Sequence, residues 1–129
     1  MGAFERFTQV GRRFKLAVSI WSRGQISFNQ GVVNRCNLKD TDYVVLFFDR
    51  YDKKIGFQIT GNNKEEGAIK LKMIATGALI SAKPFLDYYG VDYTKTTRYE
   101  LEYNDANRLH VVDLTKQMKE AKVKLARKV

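Results

Sequence analysis

Leu16-Ala-Val-Ser-Ile-Trp-Ser-Arg-Gly-Gln-Ile-Ser-Phe-Asn-Gln-Gly-Val-Val-Asn-Arg-Cys-Asn-Leu38 decides the fold, because its pattern of apolar residues and turn and helix signals returns at Ile69–Val91. Val18 to Ser22 aligns with Leu71 to Ala75, and Gly24 with Gly77. Val32, Val33 and Leu38 then fall on Phe85, Leu86 and Val91. Further on, Val44 to Phe48 falls on Arg98 to Glu102 or one place later, and Ile55 and Phe57 on Leu109 and Val111. The same β-β-α-β-β unit is therefore expected twice. A unit this small cannot close its own core, so each copy is expected to bury its apolar face against the other. The expected fold is α+β, mostly β, a pseudo-two-fold barrel or pair of sheets.

Outward from that stretch, the chain parses into an arm (1–12), repeat one (13–60), a linker (61–67), repeat two (68–113) and a last segment (114–129). Leu16, Val18 and Ile20 alternate with polar or small residues, which marks a half-buried strand. A return strand runs over Gln25–Phe28. Asn29 suits a helix N-cap, Gln30–Cys36 a short helix, and Asn37 the left-handed residue that ends it. Tyr43–Asp49 is the most apolar strand, and Ile55, Phe57 and Ile59 alternate inward across Lys54–Thr60. In the second copy, Ala68–Ile74 alternates with Lys70 and Lys72 outward, and Ala78–Ala82 returns. Pro84 opens a helix closed by Gly90. Arg98–Tyr103 and Arg108–Val112 form a hairpin. Leu114, Met118, Ala121 and Leu125 recur at helical spacing, so 114–129 is expected to be an amphipathic basic helix.

The chain has 129 residues, long enough for one domain with a real core. No apolar run approaches the roughly 20 residues of a membrane helix, and the first residues lack the apolar core of a signal peptide. Cys36 is the single cysteine and cannot form an internal disulfide, which favours an intracellular setting.

The net charge of +9 is unevenly placed. Residues 1–30 carry Arg6, Arg12, Arg13, Lys15 and Arg23 against Glu5 alone, a net +4. Residues 115–129 carry Lys116, Lys119, Lys122, Lys124, Arg127 and Lys128 against Glu120, a net +5. The stretch between is neutral. Basic ends on a neutral body fit a polyanion partner. The plainer reading is solubility or an acidic protein partner.

Catalytic chemistry is hard to place. There is one His and one Cys, no glycine-rich phosphate loop, and no cluster with metal-ligand spacing. His110 and Cys36 read as packing residues, and the paired aspartates as turn residues. The expectation is a non-enzyme with no cofactor and no metal. A binding surface fits better. Lys15, Arg23, Lys70 and Lys72 occupy outward positions of related strands, and Trp21 lies near Arg23. Such a face binds phosphates and stacks a base. Alternatively, Lys70 and Lys72 pair across strands with Glu100 and Glu102. The candidate contacts are Arg12, Arg13, Lys15, Trp21 and Arg23, assisted by Lys70, Lys72, Lys116, Lys119, Lys122, Lys124, Arg127 and Lys128.

The run from Gly24 to Leu38, then Asp42 and the hairpin Tyr43–Ile59, resembles an AbrB/SpoVT-type swapped-hairpin unit. Gly77–Val91 with the hairpin 98–112 fits the same template, and the tandem resembles the MraZ-like arrangement. The resemblance implies a DNA-binding transcription regulator whose basic residues near the first turn and arm touch DNA. Arg23 precedes Gly24 in the first copy, but Thr76 precedes Gly77 in the second. It therefore implies contact led by the first copy and the basic ends. Read from Tyr43, four strands and a helix also resemble Whirly-type and transcription-coactivator-type single-strand binders, which would place Trp21 on unpaired bases. The expected partner is DNA, double- or single-stranded, with RNA and a homo-oligomer left open. An adaptor docking through 114–129 is the alternative from another class.

Overall fold

The computed structural model describes Phe4 and residues 16–104 and 108–118. Nine strands and two helices run in the order β1 (Ala17–Ile20), β2 (Gln25–Asn29), α1 (Gln30–Cys36), β3 (Tyr43–Asp49), β4 (Lys54–Thr60), β5 (Ile69–Lys70), β6 (Lys72–Ile74), β7 (Gly77–Ser81), α2 (Lys83–Tyr88), β8 (Thr97–Asn104) and β9 (Leu109–Gln117) among the described residues. All strands join one antiparallel sheet in the order β5-β3-β4-β9-β8-β1-β2-β7-β6.

The two ends of that sheet are nearly one strand. Only Leu71 separates β5 from β6, and its N–H donates to the Asp42 carbonyl at 3.1 Å. The sheet thus curls round until its ends meet, which leaves little of the open edge that would invite aggregation. The alternation expected over Ala68–Ile74 is present, but as two short strands. β5 pairs with β3 on one side, and β6 pairs with β7 on the other.

The pairing pattern has an internal exchange. Trade β1 for β5/β6, β2 for β7, β3 for β8 and β4 for β9, and every pairing is preserved. The two halves pair with each other at four places, β1–β8, β2–β7, β3–β5 and β4–β9. Neither half can form this sheet alone.

The helices end alike for a local reason. Asn37 adopts φ 53° and Gly90 φ 66°, both left-handed. Leu38 N–H then donates to Val33 O at 3.0 Å, and Val91 N–H to Leu86 O at 2.9 Å. Both are the 6→1 bond of a Schellman-type end. The starts differ. The Asn29 side chain accepts from Val32 N–H, whereas Ala82 supplies no side-chain cap and Pro84 lies within the first turn of α2.

Inside lies one core. Val18, Ile20, Ile26, Phe28, Ile55, Phe57, Ile80, Leu101 and Val112 line it from the strands, and the helices add Val32, Val33 and Leu86. Phe28 and Phe57 meet edge to face at 5.3 Å. Each such side chain contributes roughly 1.5–3 kcal/mol on burial.

The expected C-terminal helix is corrected at its start. Leu114–Gln117 belongs to β9, with Leu114 N–H donating to Lys53 O at 3.0 Å and Met118 N–H to Arg98 O at 2.8 Å. Residues four apart share a face in a strand as well as in a helix. The Leu114–Met118 spacing therefore could not tell the two apart. The remainder of that helix, 119–129, lies outside the described residues, as does the arm apart from Phe4.

Candidate nucleic-acid interface

The β1–β2 hairpin turns through Trp21–Gly24. Gly24 takes φ 87°, and its N–H donates to Trp21 O at 2.9 Å. Two further bonds hold the tip. Ser22 N–H donates to Thr96 Oγ1 at 3.1 Å, and Ala82 N–H donates to Gly24 O at 2.9 Å. The tip is thus tied to the start of β8 and the start of α2.

On this hairpin Trp21 stays 43% exposed although it is the largest side chain in the protein. Its indole N–H donates to Ser27 Oγ at 2.7 Å, which lays the ring along the outer face of the sheet. A half-exposed indole with its polar edge already satisfied offers a fixed aromatic surface. Beside it lies a hollow of about 420 Å³ lined by Trp21, Arg23, Gln25, Ile74, Leu79 and Thr96, among others.

The register defines an outward row across five strands: Lys72, Leu79, Ser27, Ser19 and Arg98. At about 4.8 Å per strand the row spans roughly 19 Å. Its middle, Leu79, Ser27 and Ser19, is uncharged, and its ends are exposed cations. Among the described residues, Arg23, Lys72 and Arg98 form no ion pair.

Other cations are spoken for. Lys70 Nζ donates to the Asp40 carbonyl at 2.6 Å and lies over the Tyr43 ring at 5.1 Å, on the β3 flank and away from Lys72's partner strand. Lys83 lies beside the tip, but its ammonium reaches Tyr93 OH at 2.8 Å and Asp87 at 3.2 Å. Those bonds raise its pKa, while the Tyr93 hydroxyl and then Lys83 hold the Asp87 carboxyl below its usual range. Lys116 sits in β9, 4.0 Å from Asp113.

The register excludes the alternative pairing of Lys70 and Lys72 with Glu100 and Glu102. β8 lies between β1 and β9, and Glu100 is opposite Ala17. Of the candidate contacts, the structure brings together Trp21, Arg23 and Lys72. Arg12, Arg13, Lys15, Lys119, Lys122, Lys124, Arg127 and Lys128 lie outside the described residues. The described chain nevertheless fixes where both basic ends begin. Leu16 O accepts from Leu101 N–H at 2.7 Å, and Met118 N–H donates to Arg98 O. The two ends leave from opposite flanks of β8, one at Leu101 and the other at Arg98.

Arg98 and Lys95 were missed by the sequence reading. Arg98's outward position was legible from the alternation of its strand. Its neighbour Ser19 was not, because that contact depends on a pairing between the two halves. Lys95 is adjacent to Thr96, which holds Ser22.

Cys36 and His110 meet with Sγ and Nε2 3.3 Å apart, half-buried between α1 and β9, with His110 edge-on to Tyr103 at 4.9 Å. Burial pushes the thiol pKa up and the imidazole pKa down. Both shifts favour a neutral pair over thiolate and imidazolium, the opposite of what a nucleophilic cysteine requires. Among the described residues, no group of three or more His, Cys, Asp or Glu is placed to hold a metal ion, and no helix is long and apolar enough to cross a membrane.

Compared with known protein families, curated proteins and solved structures, the chain matches none.

Proposed function

We propose that this chain is a non-enzymatic, intracellular DNA-binding protein, a transcription regulator built from two copies of one swapped-hairpin unit. The observation that carries the reading is the first hairpin tip. It joins a hydrogen-bonded, half-exposed Trp21 to Arg23, which forms no ion pair among the described residues, at the edge of a neutral strip ending in Lys72 and Arg98. Cations without acidic partners are free to neutralise phosphates, and the uncharged residues between them set no like charge against a phosphate backbone. The concentration of excess charge in residues 1–30 and 115–129 supports the same reading, since both segments join the fold beside β8. The exchangeable pairing and the matched helix ends support the duplication.

A second reading rests on Trp21. A pinned indole is a stacking platform for an unpaired base, worth about 1–3 kcal/mol per base. It favours a single-stranded DNA or RNA binder on the same surface.

Fluorescence anisotropy with labelled duplex and single-stranded oligonucleotides, at several salt concentrations, tests both. Duplex preference, with affinity falling by about 0.9 log units per neutralised phosphate per decade of salt, is the result expected for the regulator. Single-strand preference that is lost in Trp21→Ala selects the second reading. If neither oligonucleotide binds at low salt, nucleic-acid binding is rejected and the adaptor reading takes its place.

A further inference from the structure

A second hollow, about 580 Å³, lies between the β3–β4 turn, the end of α2, the start of β8 and the end of β9. That volume is within the usual range for small-molecule sites. Residues 95–97 separate it from the Trp21 hollow: Thr96 lines that one, whereas Lys95 and Thr97 line this one.

Its lining is sorted by chemistry. Phe48 and Tyr89 stack on each other, with centroids 4.6 Å apart and planes at 27°, and form an aromatic wall. Lys53, held at φ 56° in the β3–β4 turn, and Lys95 are exposed cations that form no ion pair among the described residues. Asp92 accepts from both the N–H and the hydroxyl of Thr94 through one oxygen, Oδ1. These bonds hold its carboxyl below the usual range and leave Oδ2 as a charged acceptor. Gln117, at the end of β9, adds an amide that can donate and accept.

We infer that this hollow binds a ribonucleoside phosphate. Lys53 and Lys95 take the phosphate, the Asp92 carboxylate accepts the ribose hydroxyls, the base lies against Phe48 and Tyr89, and Gln117 meets its polar edge. An apolar ligand would strip water from Asp92 and two lysines without replacing their hydrogen bonds. A simple inorganic anion would leave the aromatic wall and most of the volume unused. Only a ligand with an anionic end, a hydroxyl-rich middle and an aromatic end uses all three. Two sources supply that chemistry: a free nucleotide, or an unpaired nucleotide of an RNA strand that also crosses Trp21. The strand source rests on the single-strand reading of Trp21 given above, and the free nucleotide does not.

The test is NMR titration of the ¹⁵N-labelled full chain with AMP, GMP, CMP and UMP, their 2′-deoxy counterparts, inorganic phosphate and an RNA tetranucleotide. Saturable shifts of amides within Val91–Tyr99 are expected with the ribonucleotides, at least fivefold weaker with the deoxy forms. Lys95→Glu, on an exposed loop, should weaken mononucleotide binding about tenfold, and Asp92→Asn should erase the ribose preference. Shifts with the tetranucleotide but with no mononucleotide assign the strand as source. Equal affinity for inorganic phosphate, or no shift with any ligand, overturns the inference. Arg23→Glu separates it from the proposed function. That variant should leave mononucleotide binding unchanged and lower only oligonucleotide binding.

Discussion

The two hairpin tips of this molecule occupy exchangeable places in one sheet and share little else. The first tip is Trp21–Gly24, four residues carrying an indole and a guanidinium, with the turn held by β8 and α2. The second is Ala75–Thr76, two small residues between β6 and β7. The outer row tells the same story: Ser19 and Ser27 in one half stand where Lys72 and Leu79 stand in the other. Where backbone geometry makes a demand, the halves agree, as at the two left-handed helix ends. Where only solvent meets the side chain, they differ. The surface that differs is free to specialise, which is why the first tip carries the functional proposal.

The sharpest way to break the comparison is through its glycines. A Cβ on Gly77, at φ 152°, would lie 1.9 Å from the Phe28 carbonyl oxygen, a backbone atom of the β2–β7 seam. Gly77→Ala should cost at least about 3 kcal/mol, since the seam itself must move. A Cβ on Gly24 would meet the Lys83 Cβ at 2.7 Å, at φ 87°. Gly24→Ala should cost about 1–2 kcal/mol, because α2 can shift slightly. Urea denaturation of both variants checks the order. The reverse order would make the first tip the more constrained one.

Next in size is binding. Arg23→Glu should lower duplex affinity at least tenfold at about 0.1 M salt and reduce the salt slope by about one. Thr76→Glu places the same charge on the second tip and should change affinity less than twofold. Equal losses from both tips would mean that the two halves contact DNA alike, contrary to the asymmetry argued above.

Much of this was legible before any coordinates. Asn29, Asn37, Pro84 and Gly90 announce helix ends because capping is a local matter of one side chain or one φ angle. The apolar run Tyr43–Asp49 and the alternation in Lys54–Thr60 marked both strands to the residue. What could not be read was pairing between the halves. Sequence alternation says that Lys72 and Arg98 point outward, but not that four strand spacings and a neutral strip connect them. The same blindness left open the alternative contact of Lys70 and Lys72 with Glu100 and Glu102. At Leu114–Met118 the two periodicities coincide, so only the ladder bonds to Lys53 and Arg98 decide for a strand.

A smaller effect sharpens the point of agreement between the halves. Gly90→Ala forces a Cβ into the left-handed region and should cost about 1 kcal/mol, although nothing lies within 4 Å of that Cβ. Asn37→Gly at the matched position relieves the same strain and should stabilise by a few tenths of a kcal/mol. Thermal denaturation reads both. Opposite signs would confirm that conformation, rather than contact, governs these two ends.

The smallest effect concerns a place where the halves differ inside. Cys36 of α1 meets His110 of β9, and burial, aided by the nearby Arg35 charge, lowers the imidazole pKa. The unfolded chain therefore takes up the proton more readily than the folded one. In the window between the depressed folded value and the ordinary value near 6.5, unfolding is accompanied by proton uptake, so stability rises with pH. Acidification from pH 8 to pH 5 should thus cost a fraction of the stability, reading as a modest fall in the urea midpoint. Burial also raises the Cys36 pKa, but that linkage acts only at alkaline pH, where the unfolded thiol ionises first and stability declines. His110→Gln should flatten the acid side while leaving the alkaline decline in place. An acid loss that persists in the variant would have to arise elsewhere, and the Cys36–His110 contact would then be a packing contact with no share in the pH response.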